Sequence, residues 1–398
     1  MRRALLVIAI VVVLLGGGVW AYFSFFASAP GIAVAPAGSA TLPSAGQTNA
    51  PGTAFATAAA TSSPTPVSAR LVKISAGPVV PGEAVVDLPA ANASSSPDVA
   101  VHYIERQSGN VFSYSERTGI LTRTSNRTIP GIEMAAWLPD ASAAFVRYLS
   151  GDSFGTVNTY ALPADGSSGF FLPQDLADVA VSSSSVLVLA SGVNGSSASV
   201  MRADGTHTAQ VFTTPLSSLR VSFAGKGRYL AFTKPSAALA GDAFIVDGTG
   251  RFTRIAGPLN GLVALASPSG TLVLVSSVAG GVMRMELVNT STGEATGLPV
   301  ATLADKCAWT ADSSALYCAV PQNPPLGYAY PDDWYQGAVS FSDSLWKINV
   351  TGRYAEFVLD LAKETGSPVD AEALAVDPGA TTLVFVDKND GALWSYAL

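Results

Sequence analysis

Residues 304–320 read ADKCAWTADSSALYCAV. Two short apolar runs flank Thr-Ala-Asp-Ser-Ser, a cluster of turn-forming residues, so the stretch reads as a hairpin of two strands folded about Asp312-Ser313. That fold pairs Trp309 with Leu316 and Cys307 with Cys318. Working outward, the same kind of turn recurs at Pro139-Asp140, Ser183-Ser184, Lys226-Gly227 and Ser269-Gly270, at intervals of 44, 43, 43 and 43 residues. An earlier turn in 92–97 lies one period upstream. The next one downstream, Pro378-Gly379, comes 66 residues after Asp312, one period with about 23 residues added. A fixed period of this size, with four strands to the unit, is the mark of a β-propeller.

The strands follow from the turns. In the second copy they span 132–138, 143–149, 155–162 and 169–172. The fourth copy gives 219–223, 228–233, 243–247 and 252–255, and the fifth gives 262–267, 271–276, 282–288 and a last strand within 295–303. The inner runs are nearly continuously apolar, as strands covered on both faces should be. The chain stops after only three strands of its last copy, while residues 71–75 form an isolated strand ahead of the first. The expected fold class is therefore all-β: a seven-bladed propeller over 70–398, closed by N- and C-terminal strands. Six or eight blades would fit the length less economically.

Composition sets the compartment and excludes some functions. The chain is 48% hydrophobic and only 13% charged, about half the usual charged fraction of about 25%. A net charge of −7 and the lack of any basic run argue against a nucleic-acid partner. Two histidines and two cysteines leave little for a metal site, and none is expected, nor any cofactor. Residues 4–26 form an uncharged apolar run behind Arg2 and Arg3, roughly 34 Å long as a helix against a bilayer core of about 30 Å. This reads as a transmembrane signal anchor with residues 1–3 as a cytoplasmic stub and the rest extracytoplasmic. The rival is a leader cleaved after Ala27-Ser28-Ala29. Residues 27–69 carry no charge and are dominated by Ala, Pro, Ser, Thr and Gly, the composition of a disordered linker with a reach of roughly 35–40 Å.

The turns carry a resemblance. Trp137-Leu138-Pro139-Asp140, Ser267-Pro268-Ser269-Gly270, Trp309-Thr310-Ala311-Asp312 and Val376-Asp377-Pro378-Gly379 resemble the Trp-Ser-Pro-Asp-Gly repeat of TolB-like, WD40-like propellers. Leu345-Trp346-Lys347-Ile348-Asn349 and Val111-Phe112-Ser113-Tyr114, each followed by Thr-Gly, echo its third and fourth strands. The resemblance covers nearly all of 79–398. It lacks the α/β domain that precedes the propeller in TolB, and an anchor replaces the secretion signal. It implies a binding scaffold of the cell envelope, with a protein or peptide as ligand and a glycan as the next choice, and it transfers no site residue.

Three features stand out against the repeat. Cys307 and Cys318, paired across the hairpin, are placed to form a disulfide in an oxidising compartment. The segment 321–342, PQNPPLGYAYPDDWYQGAVSFS, is an insertion between the second and third strands of blade six. Its residues 331–337 read as one helical turn, with Pro and two Asp at the start and Gly at the stop. Tyr328, Tyr330, Trp334 and Tyr335 either form a ligand platform with Asp332 or Asp333 as acceptors, or a lid packed on the blade; the sequence leaves both open. Third, Asp387-Lys388-Asn389-Asp390-Gly391 fits a hairpin turn and lacks the spacing of a calcium loop. His102 and His207 sit singly. The expected working face carries the insertion with the loops 151–154, 192–196 and 235–241. A polysaccharide-acting hydrolase or lyase is the enzymatic alternative, needing a second carboxylate near Asp332 or Asp333. A purely architectural envelope module is the third reading.

Overall fold

A computed structural model describes residues 70–90 and 97–398; the runs 4–26 and 27–69 and most of the first turn lie outside that span. Among the described residues, no helix is long and apolar enough to cross a membrane. The described strands form seven four-stranded antiparallel sheets, each built from strands consecutive in sequence except the last. The first blade comprises Ala84–Leu88, Asp98–Ile104, Val111–Ser115 and Leu121–Arg123. The sixth comprises Cys307–Trp309, Ala315–Pro321, Asp343–Asn349 and Tyr354–Asp360. In the seventh, Leu71–Lys73 pairs with Leu393–Ala397, Leu71 opposite Tyr396 and Lys73 opposite Trp394. The Arg70 guanidinium donates to the Ala397 carbonyl at 2.7 and 3.0 Å and lies 4.9 Å from the centre of the Tyr396 ring. Closure by both chain ends thus removes the free sheet edges that an open ring would expose.

First strands of neighbouring blades lie against each other, so they line the centre of the ring. Strands alternate in direction. The loops joining second to third strands and the crossings between blades therefore share one face, and the remaining hairpins share the other. The core is divided among the gaps between blades. Val80, Val86, Ile104, Ile132, Trp137 and Val146 fill the gap between blades one and two, and Phe145, Leu172, Val186 and Met201 the next. The turn tryptophans bridge these gaps: Trp137 Nε1 donates to Gly82 O at 3.1 Å and Trp309 Nε1 to Leu265 O at 3.3 Å. A Trp at this repeat position stays because it buries a large apolar area and still satisfies its N–H on the preceding blade.

The hairpin at 304–320 keeps the expected register, with Cys307 opposite Cys318 and Trp309 opposite Leu316. Its turn is held by Asp312, whose carboxylate accepts from Ser314 N at 2.9 Å and Thr310 Oγ1 at 2.7 Å. These donors, the Ser314 amide first, hold its pKa at about 2. The two cysteines are bonded, with Cα atoms 4.1 Å apart. Reducing this bridge, which closes a loop of separation 11, is expected to cost about 2–3 kcal/mol, read as a lower melting temperature in dithiothreitol. Limited proteolysis of 321–342 in the same sample tests whether the bridge also stiffens the insertion; an unchanged cleavage rate confines its effect to the hairpin.

Three details depart from the sequence reading. Ala304–Lys306 is a 3-10 turn, not the start of a strand, and it tucks Lys306 under the blade. The outer strand of blade four runs over Phe252–Asn260, well beyond 255, because bulges opposite Gly241 and Ala243 let pairing resume with Leu259 and Asn260. Finally, Leu361–Thr365 forms a helix in the crossing from blade six to seven. Asp360 caps it by accepting from Lys363 N, and Gly366 ends it at φ 78°.

Candidate functional site

The insertion follows the sixth blade's second strand and folds back over the channel mouth. Its helical turn is Asp332–Tyr335, preceded by Pro331 and followed by Gly337 at φ 74°. Successive residues of such a turn point about 100° apart, and this divides the six residues singled out above. Trp334 and Tyr330 are 3% and 2% exposed, packed with Met283, Leu303, Val339 and Phe341. Tyr330 Oη donates to Pro325 O at 2.6 Å. Asp333 turns back on its own loop and accepts from Ala329 N at 2.7 Å. Tyr328 is exposed. Asp332 and Tyr335 face a cleft instead. Asp332 Oδ2 accepts from Ala237 N at 2.8 Å, tying the insertion to the loop of blade four.

Beneath Trp334 lies a charged cluster that carries no sequence signature. Lys306, fully buried, donates to Asp343 Oδ2 at 2.9 Å, to Asp370 Oδ1 and to Ala371 O at 2.8 Å. Asp370 also accepts from Trp334 Nε1 at 2.9 Å and from Phe341 N at 3.0 Å. Two cations lie over the indole: Lys306 Nζ is 4.9 Å and Lys388 Nζ 4.0 Å from the ring centre. Lys388 donates to Trp334 O at 2.8 Å. Asp343 Oδ1 is buried with no partner. Burial first, opposed by Lys306 and reinforced by Asp370, puts the Asp343 carboxyl at about 6. Glu83 and Glu372, at the starts of the neighbouring inner strands, are also raised, in both cases mainly by burial.

These raised carboxyls give a pH prediction with a definite sign. A carboxyl whose pKa is higher folded than unfolded binds protons more tightly in the fold, so stability rises as pH falls through the folded value. The melting temperature is expected to be higher at pH 5 than at pH 7.5. His102, whose pKa burial lowers, opposes this and makes the gain smaller. Below about pH 4 the turn carboxylates such as Asp312 begin to protonate and the trend reverses. Asp343→Asn should flatten the rise between pH 5 and 7.5; an unaltered profile would exclude Asp343 as its source.

The cleft beside the insertion has a volume of about 830 Å3, within the range of ligand sites. Its walls come from the inner strands of blades two to four (Met134, Asp178, Arg220), from the turn ahead of the sixth blade (Asp305) and from the insertion (Asp332, Tyr335, Gln336), with Arg147 and Lys234 from second strands and their ends. Arg220 forms a two-pronged pair with Asp305 at 2.6 and 3.2 Å, and Tyr335 Oη donates to the same carboxylate at 2.6 Å. Burial alone would raise Asp305, but Arg220 and then Tyr335 outweigh it and hold it below the usual carboxylate range. Asp178 accepts from Val179 N at 2.9 Å and Val221 N at 2.8 Å. Burial nevertheless raises its pKa. Arg147 reaches the Leu176 carbonyl at 2.6 Å, while its Nε is buried and unpartnered. Cations and carboxylates therefore alternate around the opening, an arrangement that complements a dipolar ligand more than one of a single charge.

Of the residues singled out in the sequence, Asp332 and Tyr335 line this cleft; the sequence did not point to Arg147, Asp178, Arg220, Lys234 or Asp305 in it, nor to Lys306, Asp343 and Asp370 in the cluster beside it. The available signal was weak. Asp305-Lys306 places two charges immediately before an apolar inner strand in a chain with few charges, but their partners lie 85 and 64 residues away. The Asp387–Gly391 hairpin is confirmed as a turn between strands Thr382–Asp387 and Leu393–Ala397. Among the described residues, no three His, Cys, Asp or Glu side chains converge in a metal-binding group.

No protein-family model matches the chain, and no curated protein matches it. Among solved structures, an oligogalacturonate lyase in complex with manganese superposes with a TM-score of 0.50 at 9% identity, covering 81% of this chain and 96% of that one. The oligogalacturonate lyase of Vibrio parahaemolyticus gives 0.53 at 9% identity, covering 82% and 93%. TolB from Acinetobacter baumannii gives 0.43 at 9% identity over 69% of this chain and 78% of that one, too loose a superposition to argue from. At these identities the likeness is one of fold. The fold is the seven-bladed propeller expected from the TolB-like turn signatures.

Proposed function

We propose that this protein is a membrane-tethered, extracytoplasmic binding scaffold that takes a protein or peptide segment into the cleft at the channel mouth. The observation that carries the reading is the cleft itself, with donors from Arg147, Lys234 and Gln336 set among the carboxylates of Asp178 and Asp332. A peptide supplies matching donors and acceptors along its whole backbone. The tether and compartment rest on the apolar run 4–26 and on the Cys307–Cys318 bond, which suits an oxidising space. A reporter enzyme active only outside the cytoplasm, fused after Leu398, should be active.

The binding test uses a photo-crosslinking amino acid at Gln336 in intact cells, followed by identification and purification of the captured protein. Lys234→Ala should then weaken its binding by roughly tenfold or more, the loss expected of a central contact, with the melting temperature unchanged because that side chain is exposed. Capture from Gln336 that Lys234→Ala leaves intact would overturn the assignment of the cleft. The second reading is a polysaccharide lyase or hydrolase. It is favoured by Asp178, Asp305 and Asp332 sharing one cleft and by the names of the two lyases of the same fold. Failure of the purified protein to release unsaturated or reducing ends from oligogalacturonate would remove that substrate.

A further inference from the structure

The two faces of the ring are built from opposite kinds of loop. On the face away from the cleft, most turns are polar and self-bonded, the exposed Ile120 being an exception. Asp140, Asp165, Asp204, Asp247, Asn289 and Asp312 each accept the backbone N–H two residues on. This is the ordinary chemistry of a short turn. On the cleft face, five consecutive blades instead raise an apolar side chain in the second-to-third-strand loop or at the strand end beside its tip. These are Phe154 (69% exposed), Val193 (102%), Leu239 (74%), Val282 (60%) and Leu326 (90%). Blades seven and one carry polar loops there, around Asn389-Asp390 and Gln107-Ser108. Nothing in hairpin formation asks for an exposed Phe, Val or Leu, and five in a row on one face is not the scattered exposure normal for a soluble surface.

The pattern goes beyond the cleft and its ligand. We propose that this crown of loop tips docks the domain onto a lipid surface with neutral headgroups. The side chains sit on five different blades, each 60% exposed or more, so a protein partner would have to offer five separate receptacles. A bilayer interface accepts apolar side chains anywhere over its plane. The loops are also almost without charge. Residues 190–197, 235–241, 277–283 and 321–331 contain no Asp, Glu, Lys or Arg, and Asp152 beside Phe154 is the exception. A hollow of about 740 Å3 beneath Val193 is likewise lined without a charged side chain. With a net charge of −7 the chain is repelled by anionic lipid, which leaves neutral headgroups as the matching surface.

The test uses residues 70–398, since all seven sheets and the closure of the ring are completed within that span. The domain should float with phosphatidylcholine vesicles, equally at low and high salt. Phe154→Asp, Leu239→Asp and Leu326→Asp together should lower the bound fraction by more than roughly tenfold, since burying even one such side chain is worth that factor. Ile120→Asp, an exposed apolar position on the other face, should leave binding unchanged. Should the triple variant fail to fold, an environment-sensitive dye on Leu326→Cys should shift to the blue with vesicles, while the same dye on Ile120→Cys should not. No flotation, binding only to anionic vesicles at low salt, or equal effects at Ile120 and on the crown would each overturn the proposal.

Discussion

Lys306→Met is expected to destabilise the ring by about 3–5 kcal/mol, the cost of leaving a buried carboxylate pair without its cation. The ammonium lies fully buried between Asp343 and Asp370. It also donates to the Ala371 carbonyl at 2.8 Å, so methionine of similar length would fill the space and leave three acceptors facing each other. The effect should depend on pH. With Lys306 gone, the raised Asp343 carboxyl loses the cation that opposes its protonation and can take up a proton to relieve the repulsion, so the loss should be greater at pH 8 than at pH 5. A second set of substitutions separates charge from packing. Lys306→Met combined with Asp343→Asn and Asp370→Asn should recover a good part of the stability, because neutral amides still accept from Ala371 N, Phe341 N and the Trp334 indole. Equal melting temperatures for Lys306→Met and the parent would show that the cluster contributes nothing net.

Trp334→Ala should cost about 3–5 kcal/mol as well, by the cavity it leaves, and with it the order of the insertion. The indole stacks on Phe341 at 6.3 Å with planes 8° apart, has two lysine ammoniums over its ring, and donates to Asp370. Its removal deprives Asp370 of a donor and exposes the cluster below to water. The neighbouring Tyr335→Phe should be mild, about 1 kcal/mol for one hydroxyl hydrogen bond to a carboxylate that Arg220 still pairs. The contrast between adjacent aromatics is the measurement: thermal unfolding of the two variants side by side. Because Trp334 and Lys306 touch, their double variant should lose less than the two single losses together. Strict additivity would mean that the indole is held by packing alone.

Local sequence was enough for the repeat, the strand order, the closure of the last blade by a strand expected at 71–75 and found at Leu71–Lys73, the pairing of Cys307 with Cys318 and the site of the insertion. All but the closing strand rest on contacts made within one hairpin or one period, where turn chemistry and the spacing of apolar residues act directly on the backbone. Even the closing strand was legible, because the count of strands left one place empty. Which of the four aromatics in 328–335 face inward was settled only by the folded ring. Tyr-Ala-Tyr-Pro-Asp-Asp-Trp-Tyr has no periodicity to consult, and a single helical turn sends neighbours in different directions. It also decided the partners of Arg220, Asp305, Lys306 and Asp370. Those groups meet at the channel mouth because seven inner strands converge there, bringing together residues one to two periods apart whose local sequences are independent of one another. A propeller writes its blades in local sequence, but the ligand cleft and the charged cluster beside it exist only once the ring has closed.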